Sequence, residues 1–305
     1  MIVSVAPSPS LDRTLVVDDV IRGRIHRPHT AVSVPGGKGF NVARAAHTLG
    51  AQVIGVAVLG GPTGGVVRQM LDDAGVPVSC VQGIHETRTC TSVASGTTGT
   101  MTEFYERATE VSVLEWAELE HRVAIAIDAG PDWLTISGSM PPGAPADALA
   151  RLILLAHARG VRVAVDTHGE ALAAALDLQP EVVKINVHEA AAVLGTATLD
   201  GRAAAEALHD RRAFGRLTVV TAGTEGAWAV SDDMSVRVPA SHTGPFPVGS
   251  GDSFLAGLIV GLIEDPSNVR TALHLAAATA AANAQQPGAA VLDSEQARTW
   301  ARTLA

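Results

Sequence analysis

The amino-acid sequence predicts an α/β protein, a mainly parallel sheet covered by helices. Three observations carry that expectation. Short β-branched runs alternate with longer alanine-rich segments along most of the 305 residues, the rhythm of βα units. Most of the short runs are apolar without a break, as befits strands buried on both faces. Several alanine-rich segments stop at a glycine, the one residue that adopts the left-handed conformation cheaply.

In chain order, strands are predicted at 2–6, 53–58, 133–137, 162–166, 182–186 and 217–221. Helices are predicted at 41–49, 64–74 and 144–159, each followed by a glycine (Gly50, Gly75, Gly160), and at 201–212, 252–263 and 268–285. Two stretches break the rhythm. Residues 15–34 and 87–110 carry Thr, Val, Arg and Glu in loose alternation with no helical stripe. They are predicted as strands outside the main sheet, making a small second layer or lid. No repeat or linker divides the chain. Residues 1–305 are therefore expected to form a single domain, with lid strands contributed by about 12–34 and 87–110.

Composition narrows the function classes. The chain is 47% apolar, 17% charged and 3% aromatic, with a formal net charge of −9. That composition suits a core-forming protein and not a disordered one. With no basic run, general nucleic-acid binding is excluded, although a small basic pocket for an anionic substrate is not. The apolar runs are too short to span a membrane, and the start lacks the basic and apolar regions of a signal peptide. Cys80 and Cys90, the only cysteines, have no metal-type spacing and suit a reducing, cytoplasmic compartment. His26 and His29 have metal-like spacing but no further ligands nearby in sequence. The four tryptophans read as core or surface anchors.

Two glycine turns lead into predicted helices. In Val248–Gly257, "VGSGDSFLAG", no Lys-Ser/Thr pair follows the last glycine, so it is not a Walker A loop. Phe254 stands where a dinucleotide fingerprint needs Gly or Ala. What remains is a set of converging backbone N–H groups at a helix start, an anion cradle. Asp252 gains from the same dipole and, ionised, accepts a proton from a nearby hydroxyl. The alternative is that Asp252 only caps its helix. In Pro35–Arg44, "PGGKGFNVAR", bare backbone allows close approach of a sugar while Lys38 and Asn41 bond its hydroxyls or phosphate. The alternative there is again a cap, by Asn41. Both turns in one chain fit transfer to a sugar, which needs a cradle for the donor and another for the acceptor.

At this point the sequence resembles the ribokinase-like (PfkB) family of carbohydrate kinases, closest to its phosphofructokinase and tagatose-phosphate kinase branch. The likeness runs almost end to end. It includes "APSPSLDRT", "PGGKGFNVARAAHTLG", "TRT" at 87–89, "ISGSMPPG" at 136–143, "VDTHGEAL" at 165–172, "VKINVHEAAAVLG" at 183–195, "VVTAGTEGA" at 219–227 and "VGSGDSFLAG". The resemblance implies a ribokinase-like three-layer α/β/α domain with a small β-sheet lid. It implies ATP- and Mg²⁺-dependent phosphorylation of a ketohexose monophosphate, fructose 1-phosphate or fructose 6-phosphate, to a bisphosphate.

By the same resemblance, Asp252 is the general base and the turn Gly249, Ser250, Gly251 holds the transferring phosphoryl group. Asp12, Gly37, Lys38 and Asn41 bind the sugar, while Arg24, Arg88 and Ser139 meet its phosphate. For the two arginines the alternative is surface solvation. Lys184, Asn186, Thr221, Gly223, Gly226 and Asn283 contact the nucleotide, and Asn186 with Glu189 organises Mg²⁺ through water. A homodimer paired through the lid is expected by analogy. The chain departs from the family pattern at Ile185, Pro247, Ser250, Ser8 and the pair His168-Gly169. None of these changes removes a charged catalytic group, but they bear on which sugar is used. The rival readings are a kinase of tagatose 6-phosphate, of an unphosphorylated sugar or of a nucleoside, and a sugar-phosphate-binding sensor without catalysis.

Overall fold

The computed structural model describes residues 1–197, 200–212 and 216–304. The chain opens with β1 (Ile2–Ala6), β2 (Ser10–Val17) and β3 (Thr30–Gly36), then α1 (Lys38–Thr48), β4 (Val53–Gly60), α2 (Gly61–Asp73) and β5 (Val78–Gly83). Strands β6 (Arg88–Ser95) and β7 (Met101–Tyr105) precede α3 (Val113–Asp128), β8 (Trp133–Ser137), α4 (Ala148–His157), β9 (Arg162–Asp166) and α5 (Gly169–Asp177). Next come β10 (Val182–Asn186), α6 (Val187–Leu194), α7 (Gly201–His209) and β11 (Leu217–Thr221). The hairpin β12 (Ala227–Ser231) and β13 (Met234–Val238) leads to α8 (Ser250–Glu264), α9 (Val269–Asn283) and α10 (Ser294–Leu304).

Nine strands form the main sheet in the order β13-β12-β11-β10-β9-β8-β1-β4-β5. The strands from β11 to β5 in that order are parallel; β12 pairs antiparallel with both β11 and β13, so it alone among the described strands of this sheet runs the other way. Side chains of successive strand residues point to opposite faces, and β1 shows the consequence. Ile2 and Ala6 enter one core, with α1, α8 and α9. Val3 and Val5 enter the other, with α3 and α4. A third cluster joins β10 and β11 to α5, α6 and α7. Helices thus cover both faces, as the unbroken apolar strands predict. Leu258 in α8 is fully buried, and truncation to Ala there would cost about 2–5 kcal/mol.

The second sheet, β3-β2-β6-β7, comes from the two stretches predicted to stand outside the main one. It is mixed: β2 runs antiparallel to β3 but parallel to β6, and β6 is antiparallel to β7. Among the described residues no helix is long and apolar enough to cross a membrane.

The sheet order locates the site. The chain leaves β1 toward β4 and β5, then returns to build β8 on the other side of β1. That reversal is a switch point, where an open α/β sheet leaves a crevice beyond the carboxyl ends of its strands.

Candidate active site

A cleft of about 1240 Å³ lies beyond those strand ends, between the two sheets and the start of α8. It is lined by Asp12, Gly37, Lys38, Asn41, Arg88, Ser139, Lys184, Asn186, Glu189, Thr221, Gly223, Gly226 and the run from Gly249 to Asp252. Two expected site residues lie elsewhere. Arg24 is exposed in a turn after β2, and it does not border this cleft. Asn283, fully buried at the end of α9, sits behind the glycine turn. Its Nδ2 donates to the Val248 carbonyl at 2.9 Å and to Ser250 Oγ at 2.9 Å.

The floor of the cleft is an ionic cluster. Asp166, the last residue of β9, accepts from Lys38 Nζ at 2.7 Å and from Lys184 Nζ at 2.6 Å, one lysine on each oxygen. Lys38 also donates to Glu189 Oε1 at 3.2 Å. Burial opposes charge on Asp166, yet the two lysines outweigh it and hold the carboxyl below its ordinary range. Burial likewise opposes charge on Lys38, but Asp166, Asp252 and Glu189 raise its pKa. Two cations and two anions therefore balance within the cluster. Asp252 is left without a cation of its own.

That imbalance shows in its acidity. Asp252, 6% exposed in the first turn of α8, is pushed up to about 7, first by burial and then by the charge of Asp166. Lys38, Lys184 and the Nδ2 of Asn41, which donates to Asp252 Oδ2 at 2.8 Å, pull the other way without prevailing. A carboxyl poised near neutrality gives and takes protons efficiently. The Oδ1 of Asn41 is buried with no partner among the described residues, so an acceptor is left over for a ligand donor.

The anion cradle takes a narrower form than the sequence suggests. The N–H of Ser250 is spent on the Pro247 carbonyl at 3.1 Å, so it does not point freely into the cleft. No side chain caps α8. The N–H groups of Gly251 and Asp252, which lack intrahelical acceptors, are the donors at its positive end. Lys184 stands beside them: a Cβ on Gly251 would lie 2.9 Å from its Nζ.

At the other end, Asp12 accepts from Ser10 Oγ at 2.6 Å. Burial raises its pKa against Ser10, the Gly37 N–H, Arg88 and Arg44. Arg88 is anchored by its Nη atoms to the carbonyls of Glu106 (3.1 Å) and Ser8 (3.3 Å), and its buried Nε has no partner.

Asn186 and Glu189 close a reciprocal capping box on α6. Asn186 Oδ1 accepts from the N–H groups of His188 and Glu189, and Glu189 Oε2 accepts from the Asn186 N–H. The amide oxygen is thus occupied, and the group Asn186 has left is a donor. Among the described residues no group of three or more His, Cys, Asp or Glu could hold a metal by itself.

Sequence reasoning did not single out Asp166, Arg44, Cys90, Glu103 or Tyr105. Asp166 had a signal, since an acid ending a predicted parallel strand lies at the crevice. Arg44, packed against Asp12 and bonded to the Pro35 and Ala289 carbonyls, reads as an ordinary helix cation. Cys90, Glu103 and Tyr105 border the cleft through the second sheet, whose register the sequence does not disclose.

This geometry has relatives. The model of the pfkB family of carbohydrate kinases matches residues 4–296. The chain is 32% identical over 283 residues to a 1-phosphofructokinase of Xanthomonas campestris pv. campestris, covering 90% of this chain and 88% of that protein. It is 34% identical over 265 residues to the ATP-dependent 6-phosphofructokinase isozyme 2 of Escherichia coli, covering 85% of each. A crystal structure of phosphofructokinase-2 from Escherichia coli, in complex with substrates and products, superposes with a TM-score of 0.90 at 29% identity and covers 99% of both chains. Fold and cleft are those of a carbohydrate kinase. The chain belongs to the pfkB family, in the part of it that holds phosphofructokinases.

Proposed function

We propose that the protein transfers the γ-phosphoryl group of ATP to a free hydroxyl of a ketohexose monophosphate, fructose 1-phosphate or fructose 6-phosphate, giving the bisphosphate and ADP. The observation that carries this reading is the junction at the cleft floor. A buried acid with a pKa near 7 stands at the start of α8, bonded through Asn41 to the start of α1. The names of the two curated relatives support the acceptor class and the donor.

In this reading the acceptor oxygen forms a bond to the γ-phosphorus as the bridge to the β-phosphate breaks. The acceptor proton passes to Asp252. Such transfer depends on in-line positioning and on neutralising the phosphoryl oxygens. The N–H groups of Gly251 and Asp252, beside Lys184, are suited to those oxygens, and the Gly249-Ser250-Gly251 turn sets their direction. Asp12, Gly37 and Asn41 bond acceptor hydroxyls. Arg88 and Ser139 meet the phosphate the sugar already carries, a charge a guanidinium suits well, and Lys38, held by Asp166 and Glu189, borders the sugar. Lys184, Asn186, Thr221, Gly223 and Gly226 border the donor, and Asn283 braces the turn from behind.

Magnesium fits the donor set through Glu189 alone, with water and donor phosphates completing its shell, which is how Mg²⁺ is usually held. Asn186, with its oxygen occupied, is left to donate to a phosphate. When bound, Mg²⁺ would neutralise phosphate charge near Glu189. Cys80 and Cys90 are free thiols, in keeping with a cytoplasmic enzyme. Ile21, Ile25 and Phe104, exposed on the second sheet and its loops, favour a homodimer through that sheet, which sedimentation would detect.

The test is a coupled ADP-release assay over fructose 1-phosphate, fructose 6-phosphate, tagatose 6-phosphate, free fructose and ribose. Turnover of a fructose phosphate at least about tenfold above the free sugars is expected, a gap of about 1.4 kcal/mol in transition-state binding. Equal turnover of free and phosphorylated sugars would refute the assignment.

A further inference from the structure

The cleft-facing side of the second sheet holds a row of side chains of which the roles above use only Asp12. In the strand register Asp12 of β2 stands opposite Cys90 of β6, and Cys90 stands opposite Tyr105 of β7. Residues paired across neighbouring strands share a face, and all three border the cleft. Their character changes along the row. Asp12 is a carboxyl that accepts hydrogen bonds. Cys90 is 5% exposed, and burial pushes its thiol up, so it offers a small, nearly apolar surface. Tyr105 stands on the edge strand and is 53% exposed. Its hydroxyl donates to Glu103 Oε1 at 2.7 Å. With that hydrogen spent on Glu103, the ring itself is what Tyr105 offers the cleft.

We infer that Tyr105, backed by Cys90, is a specificity-determining wall of the acceptor pocket, packing on a bare carbon face of the sugar. The idea rests on the proposed kinase reading. The row offers a hydroxyl the Asp12 carboxyl at one end and acceptors of the Glu103–Tyr105 pair at the outer rim, and between them the Cys90 thiol and the Tyr105 ring offer little. An acceptor epimer that turns a hydroxyl toward the Cys90 thiol and the face of the Tyr105 ring forfeits its bonds to water without replacement. A hydroxyl on the opposite face loses nothing. A half-exposed aromatic ring beside a sugar site also gains burial when the site fills, since rings of this size cover a large apolar area.

The chain contains one tyrosine, which makes a direct readout available. Incorporation of 3-fluorotyrosine gives a single fluorine resonance from Tyr105. It is titrated with fructose 1-phosphate, fructose 6-phosphate, tagatose 6-phosphate and free fructose, and the same sugars are run in the ADP-release assay with Tyr105→Ala and Tyr105→Phe. The resonance is expected to shift with the sugars that bind. Tyr105→Ala is expected to raise acceptor KM about tenfold and to narrow the ratio of kcat/KM between fructose 6-phosphate and tagatose 6-phosphate, within the range one pocket contact commands. Tyr105→Phe, which keeps the ring, stays close to the parent in both. A resonance unmoved by every sugar, or Tyr105→Ala with parental acceptor KM and parental epimer ratio, would overturn the wall. A resonance that shifts with free fructose, or with a sugar phosphate that yields no ADP, counts against the ketohexose-phosphate kinase reading while supporting the wall.

Discussion

Helices α1 and α8 begin in the same way and are used differently. Each starts after a glycine at positive φ, Gly37 at 86° and Gly249 at 81°, and neither carries a side-chain cap. A side chain is excluded at both positions. A Cβ on Gly37 would lie 2.7 Å from the Ser8 carbonyl, and one on Gly249 would lie 2.6 Å from the Ala290 nitrogen. The starts differ in charge. The first residue of α1 is a lysine, already committed to Asp166 and Glu189. The first turn of α8 holds an aspartate with no cation of its own. In the proposed function one start binds and the other reacts: a saturated charge gives a fixed contact, and an unsaturated one gives a group able to exchange a proton. Asn41 ties the two together through its bond to Asp252.

The sharpest way to break this contrast is Asp252→Asn. It keeps the shape and the Asn41 contact while removing the base, so turnover should fall about 10²–10⁴-fold. Sugar affinity by calorimetry should stay near the parent. A rate near the parent would end the assignment of Asp252 as base. Next in size is Gly249→Ala, expected to lower kcat about 100-fold by turning the Gly251 and Asp252 donors away. Backbone strain of about 1–3 kcal/mol should lower its melting temperature as well. Gly65→Ala, on a helix where nothing lies within 4 Å of a new Cβ, is the control that should do neither.

On the acceptor side, Arg88→Ala should raise KM for phosphorylated sugars about 10- to 100-fold, the worth of hydrogen bonds to a charged group. Its kcat should change little. An unchanged KM would remove Arg88 from the phosphate contacts.

Two smaller effects follow from the acidity of Asp252. In the proposed mechanism its ionised form is the base, so activity should rise with pH through about 7 and fall below it. Lys184→Met, which removes an attraction for that carboxylate, should move this limb upward. Stability has the opposite sign. The folded pKa lies above the unfolded one, so Asp252 costs nothing below about pH 4, and its penalty grows until the pH passes about 7. Asp252→Asn should therefore melt about 2 °C or more above the parent at pH 8 and no higher at pH 3. Scanning calorimetry at the two values checks it, and equal melting temperatures at pH 8 would contradict the buried-charge account.

Much of the scaffold was legible in the sequence. The strands Trp133–Ser137, Arg162–Asp166, Val182–Asn186 and Leu217–Thr221 lie at their predicted residues, because buried parallel strands are unbroken apolar runs with abrupt polar ends. Helix starts were less legible: α2 and α8 begin before their predicted residues, whereas α4 begins at Ala148, after its predicted start at 144. Prediction began α1 at Asn41, yet it starts at Lys38, since "GGKG" reads as loop until packing against β1 pays for its glycines. Helix α5 hid in "GEALAAALD", whose nearly all-apolar alanine run shows no clear stripe. Helix α6 follows β10 without a break; its signal, the capping-box spacing of Asn186 and Glu189, went unread. The hairpin of β12 and β13 was missed because it lies at the sheet edge and its outer strand is half polar.

The local order of the chain, by itself, determined the βα rhythm, the two glycine turns and the acid that follows the second one. These depend on residues adjacent in sequence, where steric and hydrogen-bonding preferences act directly. Only the tertiary structure decided that Asp166 takes both lysines, that Asp252 is left without one, and that Cys90 and Tyr105 stand in a row with Asp12. Those facts depend on strand register and on the loss of water around charges brought together from different elements of the chain. A carboxyl's acidity is set by that enclosure, which no short stretch of sequence contains.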